Sequence, residues 1–155
     1  MSAVYASLIA VFGTLLGSLS TYLFQARSAA RAEASARAER LRQDMLAACS
    51  EFAAAITKLK AAVVGAWLRR EDPDQHRAAR AEADRLGSLA ESARFRLLLV
   101  SGRPEPLADA TFGFMATLRS ASDLPALKEA ESEFEAAVSA FLVDASDRIG
   151  MNHAP

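Results

Sequence analysis

Charge is missing from the start of the chain. No Asp, Glu, Lys or Arg precedes Arg27, so all 18 basic and 19 acidic side chains fall in the rest of the 155 residues. Cysteine is scarce as well. Cys49 is the only one, which excludes an intrachain disulfide framework. The two histidines, His76 and His153, have no spacing that would make them a helical ligand pair. No glycine-rich phosphate loop occurs, and five prolines and seven glycines are too few to interrupt the chain often. What remains is rich in Ala and Arg and low in aromatics, a composition that favours helix over strand. The length bounds the protein to one compact domain, or one domain with an appendage, and excludes a large multidomain enzyme.

The uncharged stretch from Val4 to Phe24, VYASLIAVFGTLLGSLSTYLF, is about 31 Å long as a helix, the thickness of a bilayer core. Tyr5 and Tyr22 stand near its two ends, where amphipathic rings anchor at interfaces. A cleaved signal peptide fits less well: no basic region precedes the run, the run is long, and charges separate it from the small-residue pair Ala32 and Ala34. After the run come Arg27, Arg31, Arg37, Arg40 and Arg42, offset only by Glu33 and Glu39. The positive-inside rule then predicts a single-pass cell-membrane protein with its N-terminus outside and its C-terminal domain cytoplasmic. Those five arginines are expected to contact lipid headgroups. Within the run, Ala6, Ala10, Gly13, Gly17 and Thr21 share one small-residue face, and Gly13 and Gly17 form a GxxxG pair suited to helix association and a homo-oligomer.

Downstream, no glycine follows Gly17 until Gly65 and no proline occurs before Pro73, so the helix can continue. Leu41, Met45, Ala48, Phe52, Ala55, Leu59, Ala62 and Ala66 recur at alternating steps of four and three, with Ile56, Val63 and Trp67 beside them. Residues 27–40 carry no large apolar side chain and read as a solvated helical stalk. A stop near Arg70 is expected, because Asp72 and Pro73 make an N-cap and first-turn pair. The second helix carries Ala79, Ala83, Leu86, Ala90, Ala93, Leu97 and Val100 on its apolar face, with Gly87 as a weak spot, and ends where Ser101 and Gly102 precede Pro104. A shorter third helix runs from about Leu107 to Leu118, with Leu107, Thr111, Phe114 and Leu118 on one face and Phe112 and Met115 beside them. The last starts near Asp123 and Pro125, buries Leu127, Phe134, Val138, Phe141, Leu142, Ala145 and Ile149, and ends at Gly150. The predicted fold is all-α: one N-terminal transmembrane helix continuing into a cytoplasmic antiparallel bundle of about four helices. Its parts are a transmembrane anchor over 1–26, a basic juxtamembrane stalk over 27–40, the bundle over 41–150 and a disordered tail over 151–155.

Charge is divided along the chain. From Pro104 onward Arg119, Lys128 and Arg148 face nine acidic residues, so the net charge of -1 is a cancellation between a basic and an acidic part. Glu129, Glu131, Glu133 and Glu135 read as a solvated helix surface, and Glu129, Glu133 and Asp144 are expected to face water or arginines of the first two helices. Asp72, Asp74 and His76 come nearest to a metal cluster, but acids in a first helical turn are explained by capping and the macrodipole. Cys49 reads as a small buried hydrophobe. No enzyme activity, metal or cofactor is expected. Direct nucleic-acid contact is not expected either, because no aromatic interleaves the arginines for stacking on bases.

The segment SLIAVFGTLLGSLSTYLFQARSAARAE, in which the apolar run ends at Phe24 and Gln25 and passes into an Arg- and Ala-rich helix, resembles small single-span membrane proteins of mycelial actinobacteria, including the KilB-type spread proteins of conjugative plasmids. The resemblance implies a membrane-associated part in intermycelial plasmid spread through other transfer or septal proteins, and toxicity on overproduction. It carries over no catalytic residue. The layout is also similar to the peripheral-stalk b subunit of ATP synthase, but the prolines at 73, 104, 106 and 125 would break so long a helix. Two functions follow as expectations: a membrane-anchored helical interaction protein, or a membrane-active toxin that self-associates through its span and perturbs the bilayer. The expected partners are membrane lipids, further copies of the chain, and other membrane or transfer proteins.

Overall fold

The computed structural model describes the backbone of residues 2–151 and the side chains of residues 21, 22, 24, 25 and 27–150. Four helices follow one another: α1 (Ser2–Leu68), α2 (Pro73–Ser101), α3 (Pro106–Arg119) and α4 (Leu124–Met151). The chain divides into two compact units, Met1–Leu41 and Arg42–Pro155. In the first, the side chains from Arg27 to Leu41 are exposed except for a half-buried Glu39, and Glu33 and Arg37 stand 3.8 Å apart, one turn from each other. The expected tail falls outside the described residues beyond Met151, where α4 ends.

The expected transmembrane anchor over 1–26 is not supported, and neither is the single-pass placement built on it. Among the described residues, no helix is long and apolar enough to cross a membrane. From Arg27 onward charges recur at almost every turn of α1, and its later apolar part still carries Glu51, Lys58 and Lys60 and buries only one face. A continuous apolar surface, which lipid requires on all sides, is therefore absent from this part of the helix. The side chains of Ala6, Ala10, Gly13 and Gly17 lie outside the described residues. Thr21 is exposed.

The second unit is an antiparallel bundle whose pairing is read from contacts between helices. Arg96 of α2 pairs with Glu51 of α1, a Cβ at Gly87 would lie 3.9 Å from Leu59, and His76 Nδ1 is 2.9 Å from the Ala66 carbonyl. The α2 numbers fall as the α1 numbers rise, so the two helices run in opposite directions. Lys60 meets Glu131 and Phe52 meets Phe141, which sets α4 antiparallel to α1. Arg94 with Asp109 and Arg119 with Asp84 do the same for α2 and α3, and Glu105 with Arg148 for α3 and α4. The topology is up-down-up-down with short connections.

Local chemistry fixes the ends. Asp72 sits in extended conformation and its Oδ1 accepts from the Asp74 and Gln75 backbone N–H groups, with Pro73 in the first turn. At the other end of α2, Gly102 takes φ 64° and its N–H donates to the Leu98 carbonyl, a left-handed closure that glycine adopts without a Cβ clash. Asp123 Oδ1 accepts from the Ala126 N–H at the start of α4.

Inside, the four-and-three stripes meet. Phe52, Ile56, Leu59 and Val63 of α1, Ala90 and Leu97 of α2, Met115 and Leu118 of α3, and Phe134 and Phe141 of α4 form one buried core. Phe52 and Phe141 pack edge to face with centroids 5.2 Å apart. Two expected core residues stand outside: Leu41 is 64% and Leu142 45% exposed. Leu41 belongs to the other unit, while Leu142 lies at the margin of the α4 stripe set by Phe134, Phe141 and Ala145. We expect Phe52→Ala to destabilise the bundle by about 3–5 kcal/mol, measured by denaturant unfolding. Gly87→Ala, whose methyl would meet only an ordinary contact with Leu59, should stabilise by about 0.5–1 kcal/mol through helix propensity. A lower melting temperature for Gly87→Ala would contradict that packing.

Candidate functional site

The residues able to carry chemistry are engaged in holding the bundle together. Asp72 and Asp74 belong to the start of α2, and His76 reaches across to the Ala66 carbonyl. Among the described residues, no group of three His, Cys, Asp or Glu side chains could hold a metal ion. Cys49 is buried. Burial pushes its thiol up from the ordinary value, Arg148 pulls it down, and Glu105 and Asp144 add to the rise. A thiol with raised pKa and no access is a weak nucleophile.

Around Cys49 the end of the bundle holds a largely buried ion pair. Glu105 is 2% exposed and stands just before Pro106. Instead of capping α3, its carboxylate receives both Arg148 terminal nitrogens, at 2.7 and 3.0 Å. Arg148 Nε is also 2.8 Å from Asp144. Burial would lower the Arg148 pKa, but the hydrogen bonds and charge of Glu105, helped by Asp144, outweigh it and the net shift is upward. Asp144 thus pairs within its own helix rather than with an arginine of the first two helices. Midway along the bundle, Lys60 binds Glu131 at 3.1 Å and Glu135 at 3.4 Å. Burial opposes the charged ammonium, yet the two carboxylates raise its pKa overall. Glu131 is therefore part of a half-buried pair rather than of a solvated surface only.

The exposed surface carries a different signal. On α2, Ser88, Ser92, Phe95 and Leu99 follow one another at steps of four, three and four, on the side opposite Ala90, Ala93 and Leu97. Phe95 is 51% and Leu99 83% exposed. The Arg94 guanidinium lies 5.0 Å from the Phe95 ring centroid and 5.6 Å from that of Phe112, and it binds Asp109 at 2.6 Å. Arg94 therefore steadies the base of the exposed ring. Phe95 and Leu99 thus place two large apolar side chains one turn apart on a solvated helix face.

Of the predicted headgroup-contacting residues, Arg27, Arg31, Arg37 and Arg40 are exposed and Arg42 is half-buried. They lie along α1. Sequence reasoning missed Phe95 and Leu99, although both are out of phase with the α2 core stripe and could have been found that way. It also missed Glu105, for which neither neighbouring proline offers a signal.

The family model for the KilB plasmid transfer protein matches residues 46–149, from within α1 almost to the end of α4. No curated protein and no solved structure matches the chain.

We expect Glu105→Ala to cost about 3 kcal/mol, because it leaves both terminal nitrogens of a largely buried guanidinium without their carboxylate. The double variant Glu105→Leu/Arg148→Met should cost less than that single change, as measured by chemical denaturation; an equal or larger loss would contradict the pairing. The Cys49 thiol should react with maleimide far more slowly in the native protein than after unfolding.

Proposed function

The chain belongs to the KilB plasmid transfer protein family and has its role in plasmid transfer, and from that premise we propose that it works as a non-enzymatic helical interaction protein. In this reading it assists the intermycelial spread of a conjugative plasmid by binding other transfer or septal proteins. The observation that carries the reading is the exposed pair Phe95 and Leu99 on a bundle whose core is otherwise well packed. The family match supports it by spanning the helices that build this surface. The titratable groups point the same way, since Glu105, Arg148, Lys60 and His76 are engaged in contacts within the bundle.

The test replaces Phe95 and Leu99 with Glu in the full chain and measures plasmid spread through recipient mycelium. Because both side chains point outward, far-UV circular dichroism and melting temperature should change little, with surface substitutions expected to shift stability by no more than about 0.5 kcal/mol each. Spread should fall at least about tenfold, the effect of losing a contact worth roughly 1.4 kcal/mol. Undiminished spread with the protein folded and present at wild-type level would refute the proposal.

A further inference from the structure

Within residues 42–68, helix α1 has a second face that the bundle leaves uncovered. Ala47, Ser50, Ala54, Thr57 and Ala61 follow at steps of three and four, all exposed, and Leu46 and Leu68 near the two ends are 50% and 61% exposed. The outer side of a bundle helix ordinarily carries charge. Helix α2 obeys this with exposed Arg77, Arg80, Asp84, Arg85 and Glu91. The middle of the α1 face has no charge.

Its charges form a row along one edge. Asp44, Glu51 and Lys58 stand seven residues apart, so they lie nearly above one another on the helix. The next place in the row is Gly65, and the Arg69 guanidinium fills it, with Nη1 donating to the Gly65 carbonyl at 2.7 Å. The row reads acid, acid, base, base. Asp44 and Lys58 have no ion-pair partner among the described residues, and Arg96 holds only Oε2 of Glu51.

Such a row is complementary to its own reversal. We propose that this face joins two copies of the chain in a symmetric antiparallel α1–α1 dimer. A two-fold axis beside Ala54 sets Glu51 against Lys58 of the second copy and Asp44 against its Arg69 guanidinium, and each pair occurs twice. The same register lays Ala47 on Ala61, Ser50 near Thr57, Ala54 on Ala54, and Leu46 beside the half-buried Val64. One register thus satisfies both the edge charges and the central side chains, as an isologous interface requires. A parallel two-fold would instead carry the two rows to opposite edges of the interface, where they could not meet. The small central residues let the helices approach to about 8 Å, the close end of helix packing. This inference does not depend on the surface at Phe95 and Leu99, which lies on another helix.

The full-length chain should sediment as a dimer. Ala54→Arg, which is exposed in the protomer and keeps helix propensity, should give a monomer with unchanged helicity and melting temperature. Lys58→Glu should weaken dimerisation by about tenfold or more, and Glu51→Lys/Lys58→Glu should restore it by exchanging the two signs. Under mild oxidation, Ala47→Cys mixed with Ala61→Cys should cross-link, while Ala47→Cys alone should not. A monomeric wild type, a dimer indifferent to Ala54→Arg or Lys58→Glu, a double variant as weak as Lys58→Glu, or cross-linking of Ala47→Cys alone would each overturn the proposal.

Discussion

The buried face of α1 between Ala48 and Ala66 is the constraint on which the bundle depends. Phe52, Ile56, Leu59 and Val63 are at most 2% exposed, and residues of α2 and α4 pack against that face. Phe141 closes on Phe52 from α4, while α2 passes Leu59 at Gly87. Helix α3 is half the length of its neighbours, and it completes the core through Met115 and Leu118. A helix face covered by two others tolerates little loss of volume, because neither neighbour can move inward without opening its own contacts.

Charge supplies orientation more than cohesion. Arg94 with Asp109, Arg96 with Glu51 and Arg119 with Asp84 tie neighbouring helices at their exposed margins, where an ion pair contributes at most about 1 kcal/mol. Glu105 with Arg148 differs because both ends are withdrawn from water. There, displacing either helix by one turn would leave a charge buried without its partner, so the pair selects one arrangement of the connection between α2 and α3 against the end of α4. This selection explains why a glutamate occupies the position before Pro106 without capping the helix. The overall charge of -1 is the sum of a basic part of the chain and an acidic one.

Much of this was legible in the sequence because it is local. The Asp72–Pro73 pair started α2 where expected, Ser101 and Gly102 ended it, and the four-and-three spacing found Phe52, Leu59, Leu97 and Phe141. Leu41 and Leu142 were misplaced because periodicity marks a face but does not say how far its neighbours extend. Glu105 and Arg148 are 43 residues apart, so nothing near either announces the other. The apolar run before Arg27 was read as a membrane span from length and composition, and that reading does not survive because no described helix has the apolar length required. Composition can give a long helix without deciding what surrounds it.

The two uncovered surfaces differ in the size of their side chains, and this separates what each can bind. Phe95 and Leu99 project far from α2 and need a recess to enter, so they suit a partner that offers a pocket. The α1 face projects little beyond its backbone at Ala47, Ala54 and Ala61, so it suits a flat, equally small-sided helix that can approach closely. A second copy of α1 has that shape and the reversed charge row, whereas the outer side of α2, with Arg77, Arg80 and Arg85, would set bulky cations against it. Contact between like faces on α1 leaves Phe95 and Leu99 open on both protomers. A dimer so built would present that pair twice, and simultaneous engagement of two linked sites strengthens binding without any new contact.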